Sequence, residues 1–170
     1  MKKSVQLYDA GVERYPLRDV VLGNASMVAL IAVGTIACWL ISPWFGVTYA
    51  AFTVVMVYYV MRRLVCRNCH YFGKRCATGW GLLAAKWFTA GDIEDFNRSP
   101  GVKIAPLVYG LMVLVPLLAL ILLMLDSSTT TTVMLLASLI VLALYSTVFG
   151  RRRSCSVCRM RLFCMGSAAK

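Results

Sequence analysis

Six of the seven cysteines lie in two short clusters of closely similar spacing, and thiolate chemistry is what such residues can perform. Each cluster reads C-x2-C with a third cysteine after six residues in the first case and five in the second. Two thiolates two residues apart on a tight turn can both reach one tetrahedral ion at about 2.3 Å, and nearby arginines favour the thiolate form. The pattern therefore predicts a metal site with ligands from a first cluster (residues 66–76) and a second cluster (residues 155–164): Cys66, Cys69, Cys76, Cys155, Cys158 and Cys164.

The sequence leaves open whether these ligands form one shared metal site or two separate sites. In one arrangement the two C-x2-C pairs form a single closed four-thiolate zinc site, and the third cysteine of each cluster remains as a symmetric pair. In another, each cluster makes its own three-thiolate site, with the fourth position open or filled by His70, solvent or a substrate. His70 directly follows Cys69, which makes it an awkward ligand for the same ion, so a local hydrogen-bonding role is expected. An iron–sulfur cluster also uses thiolates, but the C-x2-C-x2-C run is missing, so zinc is favoured.

Two explanations of the cysteines need no metal. Cysteines beside a membrane span are frequent acylation sites, which explains their position but leaves the repeated spacing unexplained. A thioredoxin-like dithiol would be expected beside a βαβ pattern, and the sequence has none.

The composition is that of a membrane protein. Of the 170 residues, 60% are hydrophobic and only 15% are charged, which is outside the usual balance of a soluble chain. The apolar residues gather in four runs without Asp, Glu, Lys or Arg, at 20–41, 45–61, 104–125 and 132–149. Runs of about 17–22 residues can span a bilayer as helices, because a helix pairs its own backbone polar groups in lipid. The sequence therefore predicts an all-α protein with four transmembrane helices.

The charges predict how these helices are oriented. All 18 Lys and Arg fall in residues 1–19, 62–103 and 151–170, whereas the connections 42–44 and 126–131 have none. By the positive-inside rule, both termini, the middle loop and both clusters are cytoplasmic, in a plasma membrane or a bacterial inner membrane. The net charge of +11 is explained by this topology and by attraction to anionic lipid headgroups. We therefore expect no nucleic-acid partner.

The two halves of the chain resemble each other. A shift of 89 positions places Arg151 on Arg62, Cys155 on Cys66 and Cys158 on Cys69. We expect two hairpins repeated in the same orientation about a pseudo-twofold axis along the membrane normal, with a cysteine-rich cytoplasmic cap beneath them. The predicted segments are 1–19 (N-terminal), 20–61 (first hairpin), 62–103 (loop with the first cluster), 104–149 (second hairpin) and 150–170 (tail with the second cluster).

The middle loop carries a further apolar stretch after the first cluster. Residues 82–89 are predicted to form a short helix in the membrane interface, anchored by Trp80, Trp87 and Phe88. Asp92 is expected to cap a second short turn that runs through Asp95. Pro116, in the centre of the third run, should kink that helix unless a neighbour satisfies the carbonyl that it frees.

The functional expectation is a small, non-enzymatic membrane protein with a metal-stapled cap. It would serve as a structural or accessory subunit, with other membrane subunits or copies of itself as partners. No span carries an ionisable relay group, and no nucleophile has a base partner, so no catalytic residue is assigned. One alternative is an iron–sulfur or dithiol redox protein. A second alternative is a soft-metal transporter, for which Cys38 and scattered methionines are the available path across the bilayer.

Overall fold

The computed structural model describes residues 5–127 and 129–169. The first four residues of the predicted N-terminal segment, Ser128 in the predicted connection 126–131, and Lys170 at the end of the tail lie outside the described residues.

The fold has four long helical spans, and no strand occurs in residues 5–127 and 129–169. All four are long and apolar enough to cross a membrane, which confirms the predicted all-α class and the number of spans. The first span is α1 (Leu17–Ile41), and the third is α5 (Pro100–Asp126). The second span, Pro43–Asn68, comprises α2 (Pro43–Val54), a π-helical segment (Val55–Val60), α3 (Met61–Val65) and a 3-10 turn (Cys66–Asn68). The fourth span, Thr130–Ser156, comprises α6 (Thr130–Leu144), a π-helical segment (Tyr145–Gly150) and α7 (Arg151–Ser156).

Two short elements occupy the loop between the second and third spans. Helix α4 (Trp80–Trp87) lies two residues earlier than the predicted 82–89. A 3-10 helix (Ile93–Arg98) follows, with Asp92 at its N-cap position. Asp92 makes no side-chain cap hydrogen bond there, so the short turn that the sequence predicts is formed by the backbone alone.

The first two spans form a tight hairpin. Ser42 alone is extended between them, and Pro43 opens the second helix at a position where its missing N–H costs little. Gly46 lies against Trp39 so closely that a Cβ at position 46 would be 2.9 Å from the Trp39 Cα. The small residue therefore allows the two helices to approach near their turn.

The third span remains helical through Pro116 because another span supplies a hydrogen bond. A proline at position 116 cannot donate to the carbonyl of Met112, four residues earlier. The hydroxyl of Tyr49, in the second span, donates to that carbonyl at 2.7 Å. Tyr49 is 5% exposed and its ring lies against Gly34 of the first span, where a Cβ would overlap it. The side chain of Tyr49 thus links the first, second and third spans.

The core is formed mainly by the first three spans, and the fourth span, which contributes Leu139, is packed less deeply. Only 6% of the most apolar stretch of the fourth span is buried within the chain, against 22–28% for the other three. The buried core side chains include Leu30, Cys38, Tyr49, Val57, Met112, Leu120 and Leu139.

The second and fourth spans end in the same way. Each has a six-residue π-helical segment next to its arginines, Val55–Val60 before Arg62 and Tyr145–Gly150 before Arg151. The two segments are 90 positions apart, within one residue of the offset between the cysteines. Both spans also stay helical past their arginines, to Asn68 and Ser156, and so reach the cysteine clusters.

Candidate functional site

The first cluster is a chain of tight backbone turns. The N–H of Cys69 donates to the carbonyl of Cys66 at 3.2 Å, and the N–H of Phe72 donates to the carbonyl of Cys69 at 2.9 Å. The N–H groups of Lys74 and Gly79 make the same bond with the residues three positions earlier, Tyr71 and Cys76, each at 2.9 Å. Each of the three cysteines therefore begins a turn.

The second cluster repeats these turns. The N–H of Cys158 donates to the carbonyl of Cys155 at 3.2 Å, and the N–H of Arg161 donates to the carbonyl of Cys158 at 3.0 Å. Two more turns complete the set: the N–H of Phe163 donates to the carbonyl of Met160 at 3.1 Å, and the N–H of Ser167 donates to the carbonyl of Cys164 at 3.2 Å. Three of the four turns match those of the first cluster at an offset of 89 residues and the last at 88.

The two clusters contact each other through a reciprocal pair of hydrogen bonds. The backbone N–H of Arg159 donates to the hydroxyl oxygen of Tyr71 at 3.1 Å. The backbone N–H of His70 is 3.3 Å from Sδ of Met160, which is 2% exposed and also lies 3.4 Å from the Cys69 sulfur. By the 89-residue offset, His70 corresponds to Arg159 and Tyr71 corresponds to Met160. The side chain of Tyr71 therefore accepts from the N–H of Arg159, and the equivalent side chain, Met160, accepts from the equivalent N–H, that of His70.

The N-terminal segment passes between the two clusters and contacts both. Val12 forms a parallel bridge with Cys158, and its N–H donates to the carbonyl of Val157 at 2.9 Å. On the other side, the hydroxyl of Tyr71 donates to the carbonyl of Val12 at 2.6 Å. Gly11 makes the close approach feasible, because a Cβ there would lie 2.7 Å from the backbone of Arg159.

Tyr15 fastens the same segment at its other end. Its N–H donates to the carbonyl of Arg75 at 3.1 Å, and its hydroxyl donates to the carbonyl of Ser154 at 2.7 Å. The ring is 3% exposed and meets the ring of Tyr71 edge to face at 5.4 Å. We call the N-terminal segment 5–16 together with the two clusters the cysteine-rich end of the molecule.

The predicted metal ligands all lie at this end, and Cys69 is close enough to Cys66, Cys76 and Cys158 for their charges to add to burial in raising its pKa. In the part of the chain that the structure describes, no group of three or more Cys, His, Asp or Glu side chains is arranged to hold a metal ion. Cys66 is buried, and the other five cluster cysteines, Cys69, Cys76, Cys155, Cys158 and Cys164, are half-buried. The sulfur of Cys76 lies 3.4 Å from the hydroxyl of Thr78.

Burial sets the protonation of the groups in the centre. It raises the pKa of the Cys69 thiol and that of the Cys158 thiol, so both are protonated at neutral pH in this arrangement. Burial, with the nearby charges of Lys74 and Arg159, lowers the pKa of His70, so its ring is neutral. Nε2 of His70 is buried and has no hydrogen-bond partner among the described residues.

The predicted interfacial anchors differ in their surroundings. Trp80 donates from Nε1 to Oδ1 of Asn24 in the first span at 3.2 Å, and the guanidinium of Arg62 lies 5.1 Å from its ring centroid. Phe88 packs on Tyr59, with 6.0 Å between the ring centroids. Trp87 is 60% exposed and so presents most of its ring outward.

Comparison with known protein families, with characterised proteins and with solved structures finds no match for this chain. The two clusters could be found by residue type and spacing. The N-terminal segment, Tyr71 and Met160 could not, because their role depends on pairing between residues as much as about 150 positions apart.

Proposed function

We propose that the chain is a small, non-enzymatic, multi-pass membrane protein that acts as a structural or accessory subunit of a membrane assembly. The cysteine-rich end would be its cytoplasmic cap, which fastens the two hairpins to each other. The exchange between Tyr71 and Arg159 and between Met160 and His70 carries this proposal. It joins the loop after the first hairpin to the tail after the second.

The cytoplasmic position of the cap is supported by charge. In the sequence, all 18 Lys and Arg fall in the segments 1–19, 62–103 and 151–170, which the cap belongs to, and the connections 42–44 and 126–131 contain none. The inner surface of a membrane attracts such residues through its anionic lipids.

The pseudo-twofold arrangement of the hairpins is supported by their local structure. The turns at equivalent cysteines, the π-helical segments and the reciprocal hydrogen bonds all follow an offset of 88–90 residues. A reciprocal contact, in which residue i meets residue j′ and j meets i′, is what a twofold relation produces.

Zinc is the metal that we propose for the cap, with the six cluster cysteines as the candidate ligands. Support comes from the backbone turn across each C-x2-C pair, because structural zinc sites take two thiolates from such a short turn. Binding would replace thiol protons and turn the side chains toward a common ion, at a place where the two clusters are already in contact. An iron–sulfur cluster would use the same thiolates and is the second candidate.

Substitution of two equivalent cysteines tests whether a bound metal fastens the two clusters together (the staple). The Cys66→Ser/Cys155→Ser protein, purified in mild detergent, should lose thermal stability and bound metal relative to the parent. Cys38→Ala is the matched control, because Cys38 is the one cysteine outside the clusters and is buried in the first span. A double variant that keeps its melting temperature and oligomeric state would rule out the staple.

Metal analysis of anaerobically purified protein separates the candidates. Zinc in a whole-number ratio to protein with a colourless solution supports the structural site. Absorbance between about 350 and 450 nm would instead indicate an iron–sulfur cluster. Protein that contains neither metal and keeps its fold would show that the cap packs without one.

The accessory role is tested by size in the native membrane. Extracted gently, the protein should migrate in a complex larger than its 18.8 kDa chain with bound detergent, with itself or with other subunits. Migration as a single chain under those conditions would contradict this role.

A further inference from the structure

The loop before the third span contains a charged cavity that includes none of the six cluster cysteines. It has a volume of about 700 Å³ and lies where the second span ends and the third begins, beside the segment that follows α4. Its charged lining consists of two arginines, Arg67 and Arg98, and two acids, Asp92 and Asp95. The cavity therefore carries both signs of charge with a formal sum of zero.

None of these four side chains is in an ion pair within the described residues. The ion pairs found there join Asp19 to two arginines, and Glu13 to Arg159. Opposite charges that line one cavity without neutralising each other leave donors and acceptors available to a ligand. The arrangement fits a ligand that carries an anionic and a cationic group together, because a simple anion would meet two carboxylates.

Gly91 keeps the arginine side of the cavity close to the acidic side. Its N–H donates to the carbonyl of Arg67 at 2.8 Å, and a Cβ there would overlap the side-chain oxygen of Asn68. The same Cβ would be 3.3 Å from Nε of Arg67. The glycine thus lets the end of the second span contact the segment that continues into Asp92.

An apolar track leads from the cavity along the third span. Pro100 and Leu64 line the cavity itself. Leu107, Leu114 and Ile121 follow Pro100 at steps of seven residues, which places them along one face of the helix. They are 63%, 48% and 41% exposed. A ligand with a charged head in the cavity could therefore lay an acyl chain along this face.

We propose that the cavity binds a phosphatidylethanolamine-type lipid. The phosphate would meet the two guanidinium groups, which recognise phosphate oxygens in a planar, forked geometry. The primary ammonium would donate hydrogen bonds to Asp92 and Asp95. The proposal rests on the membrane position of the four spans and requires no metal at the cap.

A second cavity provides a contrast within the same molecule. It has a volume of about 440 Å³ and is lined by Arg152, Arg153 and Arg161 with no acidic residue. Arg153 and Ser156 in its lining correspond by the 89-residue offset to Leu64 and Arg67 of the first cavity. The acids are therefore particular to the first cavity, and Arg152 is a suitable control arginine.

The test measures lipid affinity of the purified full chain in a non-ionic detergent by native mass spectrometry. The probes are phosphatidylethanolamine, phosphatidylcholine and phosphatidylglycerol with identical acyl chains. We expect phosphatidylethanolamine to bind on the order of tenfold more tightly than either of the others, because its headgroup alone carries a cationic N–H donor: the choline cation has no N–H, and the glycerol hydroxyls are neutral. Asp92→Asn/Asp95→Asn should abolish the preference, and Arg67→Gln/Arg98→Gln should weaken binding of all three lipids.

Matched controls are Glu94→Gln, an exposed acid of the same short helix outside the cavity lining, and Arg152→Gln. Both should keep the preference for phosphatidylethanolamine. Equal affinity for the three lipids, or a preference that survives Asp92→Asn/Asp95→Asn, would overturn the proposal. Glycerophosphoethanolamine without acyl chains should compete only weakly; competition as strong as that of the lipid would assign the cavity to a soluble ligand instead. All the substituted side chains are exposed, and circular dichroism verifies that the helices are retained.

Discussion

The hydroxyl of Tyr71 lies between Arg159 and Val12, accepting from the N–H of the first at 3.1 Å and donating to the carbonyl of the second at 2.6 Å. One side chain of the first cluster thereby joins the second cluster and the N-terminal segment. Because Tyr71 is 2% exposed, water cannot readily replace either bond.

Removal of this hydroxyl should loosen the cysteine-rich end. Tyr71→Phe keeps the ring but leaves the partly buried N–H of Arg159 and carbonyl of Val12 without this partner, so we expect a loss of about 1–3 kcal/mol in unfolding free energy. Thermal unfolding in detergent measures the loss of stability. Limited proteolysis measures how far the N-terminal segment has loosened. Tyr59→Phe, at a residue that is 50% exposed, is the control. Equal stability of the two variants would contradict a central role for Tyr71.

The N-terminal segment should separate from the second cluster when Gly11 gains a side chain. A Cβ at position 11 would lie 2.7 Å from backbone atoms of Arg159, which cannot move without breaking the bridge between Val12 and Cys158. Gly11→Ala should therefore increase amide hydrogen exchange at Val12. Gly110→Ala is the matched control, because its Cβ would meet no atom within 4 Å. Unchanged exchange at Val12 in Gly11→Ala would disprove the close packing.

The bond from Tyr49 to the Met112 carbonyl should matter only while Pro116 is present. Tyr49→Phe should cost about 0.6–2 kcal/mol, the range for hydrogen bonds between membrane helices. In a Pro116→Ala background the new N–H at position 116 can satisfy Met112, so the same substitution should cost much less. A double-mutant cycle of unfolding free energies provides the coupling. Additive effects would show that Tyr49 does not compensate for the proline.

The spans could be predicted from the sequence because lipid imposes long apolar runs on any helix that crosses it. The ends of the spans are predicted less accurately. The second and fourth spans continue through Arg62 and Arg151 to Asn68 and Ser156, since a helix that leaves the membrane can keep its own hydrogen bonds in water. Helix α4 begins at Trp80, two residues before the predicted start, where Gly79 adopts a positive φ of 71°.

The positions of the two cysteine clusters could be read from the sequence, but the contacts that join them could not. Cysteine spacing is local, and it located both clusters and their common turns. The contact of Met160 with Cys69 and the bridge of Val12 with Cys158 connect residues 91 and 146 positions apart, and no local pattern reports such pairs. Metal binding by the six cysteines stays a prediction, since no group of three or more possible ligands among the described residues is arranged to hold an ion.

The exchange of contacts between the two clusters is the central claim, and amide hydrogen exchange at His70 and Arg159 tests it most directly. Both amides should be protected in the parent protein. Met160→Leu should expose the amide of His70, and Tyr71→Phe should expose that of Arg159, each change appearing in the cluster opposite the substitution. Fast exchange at both amides in the parent, or changes confined to the substituted cluster, would contradict the interlocked arrangement.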